Sequence, residues 1–207
     1  MIGERSGRAA LLACAAFAVL CLVAGASPAA AKKAKAKTVT RTFSQCQNVA
    51  LPLTDHSVAQ VHFTVPKPPE RAKPPNGRVI GVTSAAVRVT HGYAQDISIF
   101  AISPAGFVVP LSLGRGDSTD DYGTGAKACS GSLTIFSDSS VTPIADSTPP
   151  FAGSFRPEAP MAGFVGAPAS GIWTLLFSDD QTLDSGTVHA ASLTFTYSYK
   201  KPSKKKA

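Results

Sequence analysis

The sequence is poor in the residues on which most enzymatic and metal-binding schemes depend. Of its four cysteines, Cys14 and Cys21 fall in an apolar leader, which leaves Cys46 and Cys129. One pair without Cys-x-x-Cys spacing supplies too few thiolates for a structural zinc site or a cysteine-based catalytic centre. His56, His62, His91 and His189 are scattered, and no Gly-x-Ser-x-Gly elbow accompanies them. The aspartates show no EF-hand spacing. Helical periodicity is nearly absent, no segment repeats, and Trp173 is the single tryptophan. The lysines lack interleaved aromatics on which bases stack, so no nucleic-acid partner is expected.

The chain opens with Arg5 and Arg8, then an apolar stretch from Ala9 to about Ala26, then Pro28 and Ala29-Ala30-Ala31. A charged start, an apolar middle and a small-residue end predict a signal peptide over 1–31, cleaved near Ala31, and a secreted, extracellular product. Two other readings stay open: an uncut anchor at the short limit for a span, and lipid attachment at Leu11-Leu12-Ala13-Cys14. In an oxidising compartment, Cys46 and Cys129 are expected to form a disulfide. Its long loop corresponds to about 4 kcal/mol in the chain-entropy model.

The net charge of +7 is concentrated at the ends. Lys32, Lys33, Lys35 and Lys37 open the mature chain, and Lys200, Lys201, Lys204, Lys205 and Lys206 close it. Between Thr38 and Tyr199 stand 9 basic and 12 acidic residues. The runs 32–42 and 200–207 therefore read as lysine-rich tails with too little apolar surface to fold. They suit screened contact with an anionic cell envelope, or serve only as solubilising ends. The body between them, 43–199, has the size of one domain and can bury a core.

Inside that body, β-rich runs alternate with Gly, Pro, Asp and Ser clusters. Strands are expected at "SVAQVHFTV" (57–65), once or twice in "RVIGVTSAAVRVTH" (78–91), at "DISIFAIS" (96–103), "FVVPLSL" (107–113) and "LTIF" (133–136). Pro110 suggests an edge or a bulge, and "KPPERAKPPNG" (67–77) reads as a surface loop. The strongest strands are "IWTLLFS" (172–178) and "TVHAASLTFTYSY" (187–199), joined by "DDQTLDSG" (179–186) as a hairpin loop. Many short strands at near-regular spacing predict an all-β sandwich or jelly roll.

The segment "VRVTHGYAQDISIFAISPAG" (87–106) places His91, Tyr93, Asp96, Ile97, Ile99, Ser103, Pro104 and Gly106 in a recognisable order. With "FAGSFRPEAPMAGFVG", "SGIWTLLFSDD" and "DSGTVHAASLTF", it resembles the P domain, or P/Homo B domain. That module follows the catalytic domain in proprotein convertases of the kexin and furin type and in many bacterial subtilisin-like serine proteases. Gln95 stands where the pattern has glycine, and Ala191 stands near a place often held by tryptophan. The resemblance covers about Phe43 to Tyr199 and implies a jelly-roll, galactose-binding-like sandwich.

It also implies a non-catalytic partner of subtilisin-like serine endopeptidases, assisting their folding or stability in trans or binding a protein substrate. Subtilisin-like catalysis needs separate Asp, His and Ser blocks, and none is here, so serine endopeptidase activity of the chain's own is the least favoured reading. A glycan- or envelope-binding module is the alternative, with Phe107, Phe151, Phe155 and Phe164 as candidate exposed aromatics. Asp96, Asp138, Asp179 and Asp180 fall where some P domains hold calcium, and Asp117, Asp120 and Asp121 offer a second acidic loop. The competing reading makes these aspartates turn caps. Arg156 and Glu158 read as a clamp on their loop, His91 as a bonded structural histidine, and Trp173 as an inward strand residue.

Overall fold

Alternation with a period of two lets each strand bury one face, and burial follows that alternation most plainly at 58–65, 171–179 and 192–199. The structure, a computed structural model, describes residues 35–46, 51–53, 58–118, 121–125, 130–181 and 184–201. The predicted leader, Cys129 and Asp120 lie outside them.

The described strands are β1 (Ala36–Gln45), β2 (Leu51–Leu53), β3 (Val58–Val65), β4 (Lys73–His91), β5 (Ile97–Ile102), β6 (Val108–Leu113), β7 (Thr134–Phe136), β8 (Gly153–Phe155), β9 (Gly171–Asp179) and β10 (Gly186–Lys200). They form two sheets. Sheet A runs β1-β10-β4-β7-β8, with β2 also on β10, and sheet B runs β3-β9-β5-β6. All pairs are antiparallel except β7 with β8. The all-β sandwich expected from the strand pattern is the fold observed.

The core lies between the sheets. From sheet B, Trp173, Leu175 and Phe177 of β9 point inward beside Ile97, Ile99 and Ala101 of β5. From sheet A they meet Leu193, Phe195 and Tyr197 of β10. Trp173 sits 5.1 Å from Phe195 and 5.1 Å, edge-on, from Phe164. Its indole N–H donates to the Ala169 carbonyl at 2.8 Å, so the ring is buried without an orphaned donor.

Three expectations need correction. The supposed tail 32–42 contains most of β1, whose ten residues pair with β10 from Ala36↔Lys200 to Gln45↔Ala191. Thr-Val-Thr-Arg-Thr-Phe alternates like any strand, and Val39 and Phe43 pack on the core. The proline-rich loop ends early, because Lys73–Gly77 belongs to β4, where register shifts opposite β10 accommodate the prolines. Finally, β9 and β10 form no hairpin. They lie in opposite sheets, and 179–186 crosses between sheets because both strands turn their large side chains toward the same core.

Tyr122 ties the long 114–132 loop to both sheets. Its backbone pairs with Val89 of β4 at 2.9 Å in both directions. Its hydroxyl meets Ser112 of β6 at 2.9 Å, and its ring lies 4.9 Å from Phe151. Burial pushes the Tyr122 hydroxyl up to about 12 from its ordinary 10.0, against the opposing Ser112 bond. A folded-state pKa above the unfolded one contributes stability that is complete below pH 10 and disappears as pH rises toward 12. Denaturant titrations across that window should show native protein losing about 2–3 kcal/mol more than Tyr122→Phe, which has no proton to lose there. Equal losses in both proteins would contradict this role.

Candidate functional site

The ends of four strands from both sheets converge on one corner. His91 closes β4 opposite Gly186, the first residue of β10. Asp179 closes β9 opposite Ile97, and the Asp180 N–H donates to the Asp96 carbonyl at 2.9 Å. His91 Nε2 lies 3.2 Å from Asp179 Oδ2, and both side chains are buried. The other ring nitrogen meets the Tyr93 carbonyl oxygen at 2.8 Å and the Tyr93 N–H at 3.2 Å. The His91 backbone N–H donates to Asp121 at 3.0 Å. Gly186 makes this approach feasible: a Cβ there would stand 2.5 Å from the Thr90 carbonyl oxygen and 2.7 Å from the His91 ring. A polar cavity of about 310 Å³ opens beside this corner, lined by Thr90, His91, Gly92, Asp121, Ser185 and Gly186 among others.

Electrostatically the corner is acidic and partly dry. Burial raises the Asp96 pKa, with His91 pulling it down and Asp179 and Asp184 pushing it up. Asp180 is held by two hydroxyls, Ser98 at 3.1 Å and Ser178 at 2.5 Å. The Ser98 hydroxyl is thus directed to a carboxylate and away from His91. Among the described residues, hydroxyl–histidine pairs occur elsewhere, at Thr174–His62 and Thr90–His189, both at 2.9 Å. At the second pair the Asp121 charge opposes the lowering of the His189 pKa by burial and by Arg88.

The four aspartates expected to share a cation do not come together. Asp138 caps a different turn, accepting from the Met161 and Ala162 N–H groups at 2.8 Å each. This is the capping reading, and it uses both carboxylate oxygens. Asp96, Asp179 and Asp180 do share the corner, but their near partners are His91, Ser98 and Ser178. Among the described residues, no group of three or more His, Cys, Asp or Glu side chains is placed to hold a metal ion.

Arg156 and Glu158 act separately. Arg156 donates to the Val141 carbonyl at 3.4 Å, while Glu158 takes a two-pronged bond from Arg115, 3.1 Å on its Nη2 arm. That bond raises the Arg115 pKa. The Glu158 and Ala159 N–H groups donate to Leu111 and Pro110 of β6, so this segment closes an edge of sheet B. The clamp is real, and Arg115 is its unforeseen half. Of the candidate binding aromatics, Phe107 is exposed, but Phe151 and Phe164 are in the core and Phe155 is half-buried, so they form no platform. Cys46 is disulfide-bonded, and Cys129, its expected partner, lies outside the described residues.

Arg88 escaped the sequence reading altogether. It is fully buried on the outward side of β4, beneath loop residues Gly123 and Gly125, and none of its guanidinium nitrogens has a hydrogen-bond partner among the described residues. Burial lowers its pKa, with Asp121 opposing, and burial together with the Arg88 charge lowers that of His189.

No protein-family model and no curated protein matches the chain. Solved structures similar to it include two from Aeromonas sobria. The serine protease of Aeromonas sobria is 14% identical over 79% of this chain and 27% of its own, with a TM-score of 0.38. The complex of that protease with its chaperone gives 12% identity over 81% and 28%, again at 0.38. The chain thus spans under a third of either, and a likeness of this size fixes neither fold nor role.

Arg88 generates a prediction about stability. A buried guanidinium without a hydrogen-bond partner among the described residues retains its charge and bears a desolvation cost that Asp121 offsets only in part. Arg88→Met should therefore leave the unfolding free energy unchanged or raise it by up to about 3 kcal/mol. A fall of several kcal/mol in urea titrations would mean that attraction to Asp121 outweighs the desolvation cost.

Proposed function

We propose that this chain is a secreted, non-catalytic module of P-domain type that docks on a protein partner through the outer face of sheet B, and that the partner class is a secreted subtilisin-like protease. One observation carries the docking. Across β3, β9, β5 and β6 the outward residues run Gln60–Leu176–Phe100–Pro110 and His62–Thr174–Ile102–Val108, with Thr64–Ile172 beyond. Ile172 and Val108 are more than half exposed, and Phe107 adjoins them at 58%. The four strands contain no Lys, Arg or Glu, and their single aspartate, Asp179, is buried. A contiguous uncharged face of this kind marks a protein interface more readily than a solvated surface.

The protease assignment draws on the sequence resemblance alone. The non-catalytic role likewise follows the resemblance, in which the Asp, His and Ser blocks of subtilisin-like catalysis belong to a separate domain. In this reading the module stabilises its partner, and export closes the Cys46–Cys129 bridge.

The test is capture from the producing organism's secreted fraction, using wild type and Ile102→Lys/Val108→Lys as baits, with bound proteins identified by mass. The expected result is a subtilisin-like protease that stays through a high-salt wash on wild type and falls about tenfold or more on the variant. Recovery of envelope polymer alone, released by salt, would replace this reading with the adhesive one.

A further inference from the structure

We infer that the free edge of β1 is a second binding surface, which takes an extended acidic segment of a protein partner by strand addition. It is separate from the sheet B face and does not depend on the partner being a protease.

β1 is the terminal strand of sheet A and pairs only with β10. The backbone bonds that lie outside the strand ladders involve no residue of Ala36–Gln45 among the described residues. Sheet B offers a contrast, since the edge of β6 is closed by Glu158 and Ala159. A row of unpaired N–H and C=O groups along an exposed strand is a template for another chain.

The side chains select what that chain contains. On the core-facing side of β1, Lys37, Val39, Arg41 and Phe43 follow one another at alternate positions. Val39 and Phe43 are half-buried, and the two cations are exposed. Phe43 stacks on Phe195 at 5.7 Å, with one side still open. On the other side, Thr40 and Thr42 are hydrogen-bonded to Thr196 and Thr194 at 2.8 Å. No Asp or Glu occurs between Arg5 and Thr54, nor anywhere in β4 or β10. The edge is therefore cationic with no internal counter-charge.

An added antiparallel strand places its residues about 5 Å from those it faces. Against β1 this calls for an apolar residue opposite Phe43, a carboxylate opposite Arg41, an apolar residue opposite Val39 and a carboxylate opposite Lys37. Small polar residues fit between them. A second copy of this chain fits poorly: self-pairing centred on Val39 sets Lys37 against Arg41, and like charges directly opposed destabilise a ladder.

The probe is a labelled peptide reading Val-Thr-Glu-Thr-Val-Thr-Glu, followed by fluorescence anisotropy on the full chain. Its comparators are the same peptide with proline for the second valine, a lysine-for-glutamate version, and polyglutamate. Saturable binding is expected, weakened about tenfold by the proline and by Lys37→Glu/Arg41→Glu, with the lysine peptide now preferred by that variant. Amide exchange should slow along Ala36–Gln45 on binding. Both substitutions sit on exposed side chains, and an unchanged thermal melt of the variant verifies that it is folded. Absence of saturable binding overturns the inference. Equal binding of the proline peptide or polyglutamate also overturns it, in favour of unspecific polyanion attraction. A stable dimer in sedimentation whose β1 amides are already protected would assign the edge to a second copy and overturn it too.

Discussion

The two sheets of this protein share no ladder, so what joins them is the layer of side chains between them. Trp173 is at its centre, contacting Phe164 on one side and Phe195 of the opposite sheet on the other. Burying each such side chain contributes about 1.5–3 kcal/mol, and here one ring is shared by both sheets and by the turn that contains Phe164. Its donated bond to Ala169 fixes the ring's orientation. The geometry outside the core, including the strand ends at His91 and the outer face of sheet B, presupposes this layer.

Because the sheets are clamped face to face, their strand ends meet where β4, β5, β9 and β10 stop. The corner is chemically dense, with one histidine and several aspartates, yet its groups are consumed by one another. His91 is used at both ring nitrogens and at its backbone N–H, and Asp180 is occupied by two serines. These bonds hold strand ends from two sheets together.

Alternation made much of this fold legible. Leu193, Phe195 and Tyr197 against Ser192, Thr194 and Thr196 identified β10 and its buried face, and Trp173, Leu175 and Phe177 did the same for β9. Periodicity says which face of a strand is buried and nothing about which strand lies beside it. That is why β9 and β10, neighbours in sequence, read as a hairpin although they face each other across the core. β1 was hidden differently: a run of lysines dominated its composition, while Val39 and Phe43 carried the strand signal in plain alternation. At the site, His91, Trp173 and the Glu158 loop were legible because their chemistry pointed inward or to a salt bridge. Arg88 was not. An arginine at the outward phase of a strand looks solvated until a loop from elsewhere covers it, and the only local hint lay in Gly123, Gly125 and Gly131, which let that loop come close.

The pairing of Ala36 with Lys200 brings the first and last described strands to the same corner of sheet A, running in opposite directions. Tension applied between these two ends loads the ladder at its terminal rung and opens it one pair at a time, as a zipper opens. The same number of bonds pulled along their strands would have to yield together. Its outermost strand is accordingly held by the mechanically weakest arrangement a sheet allows.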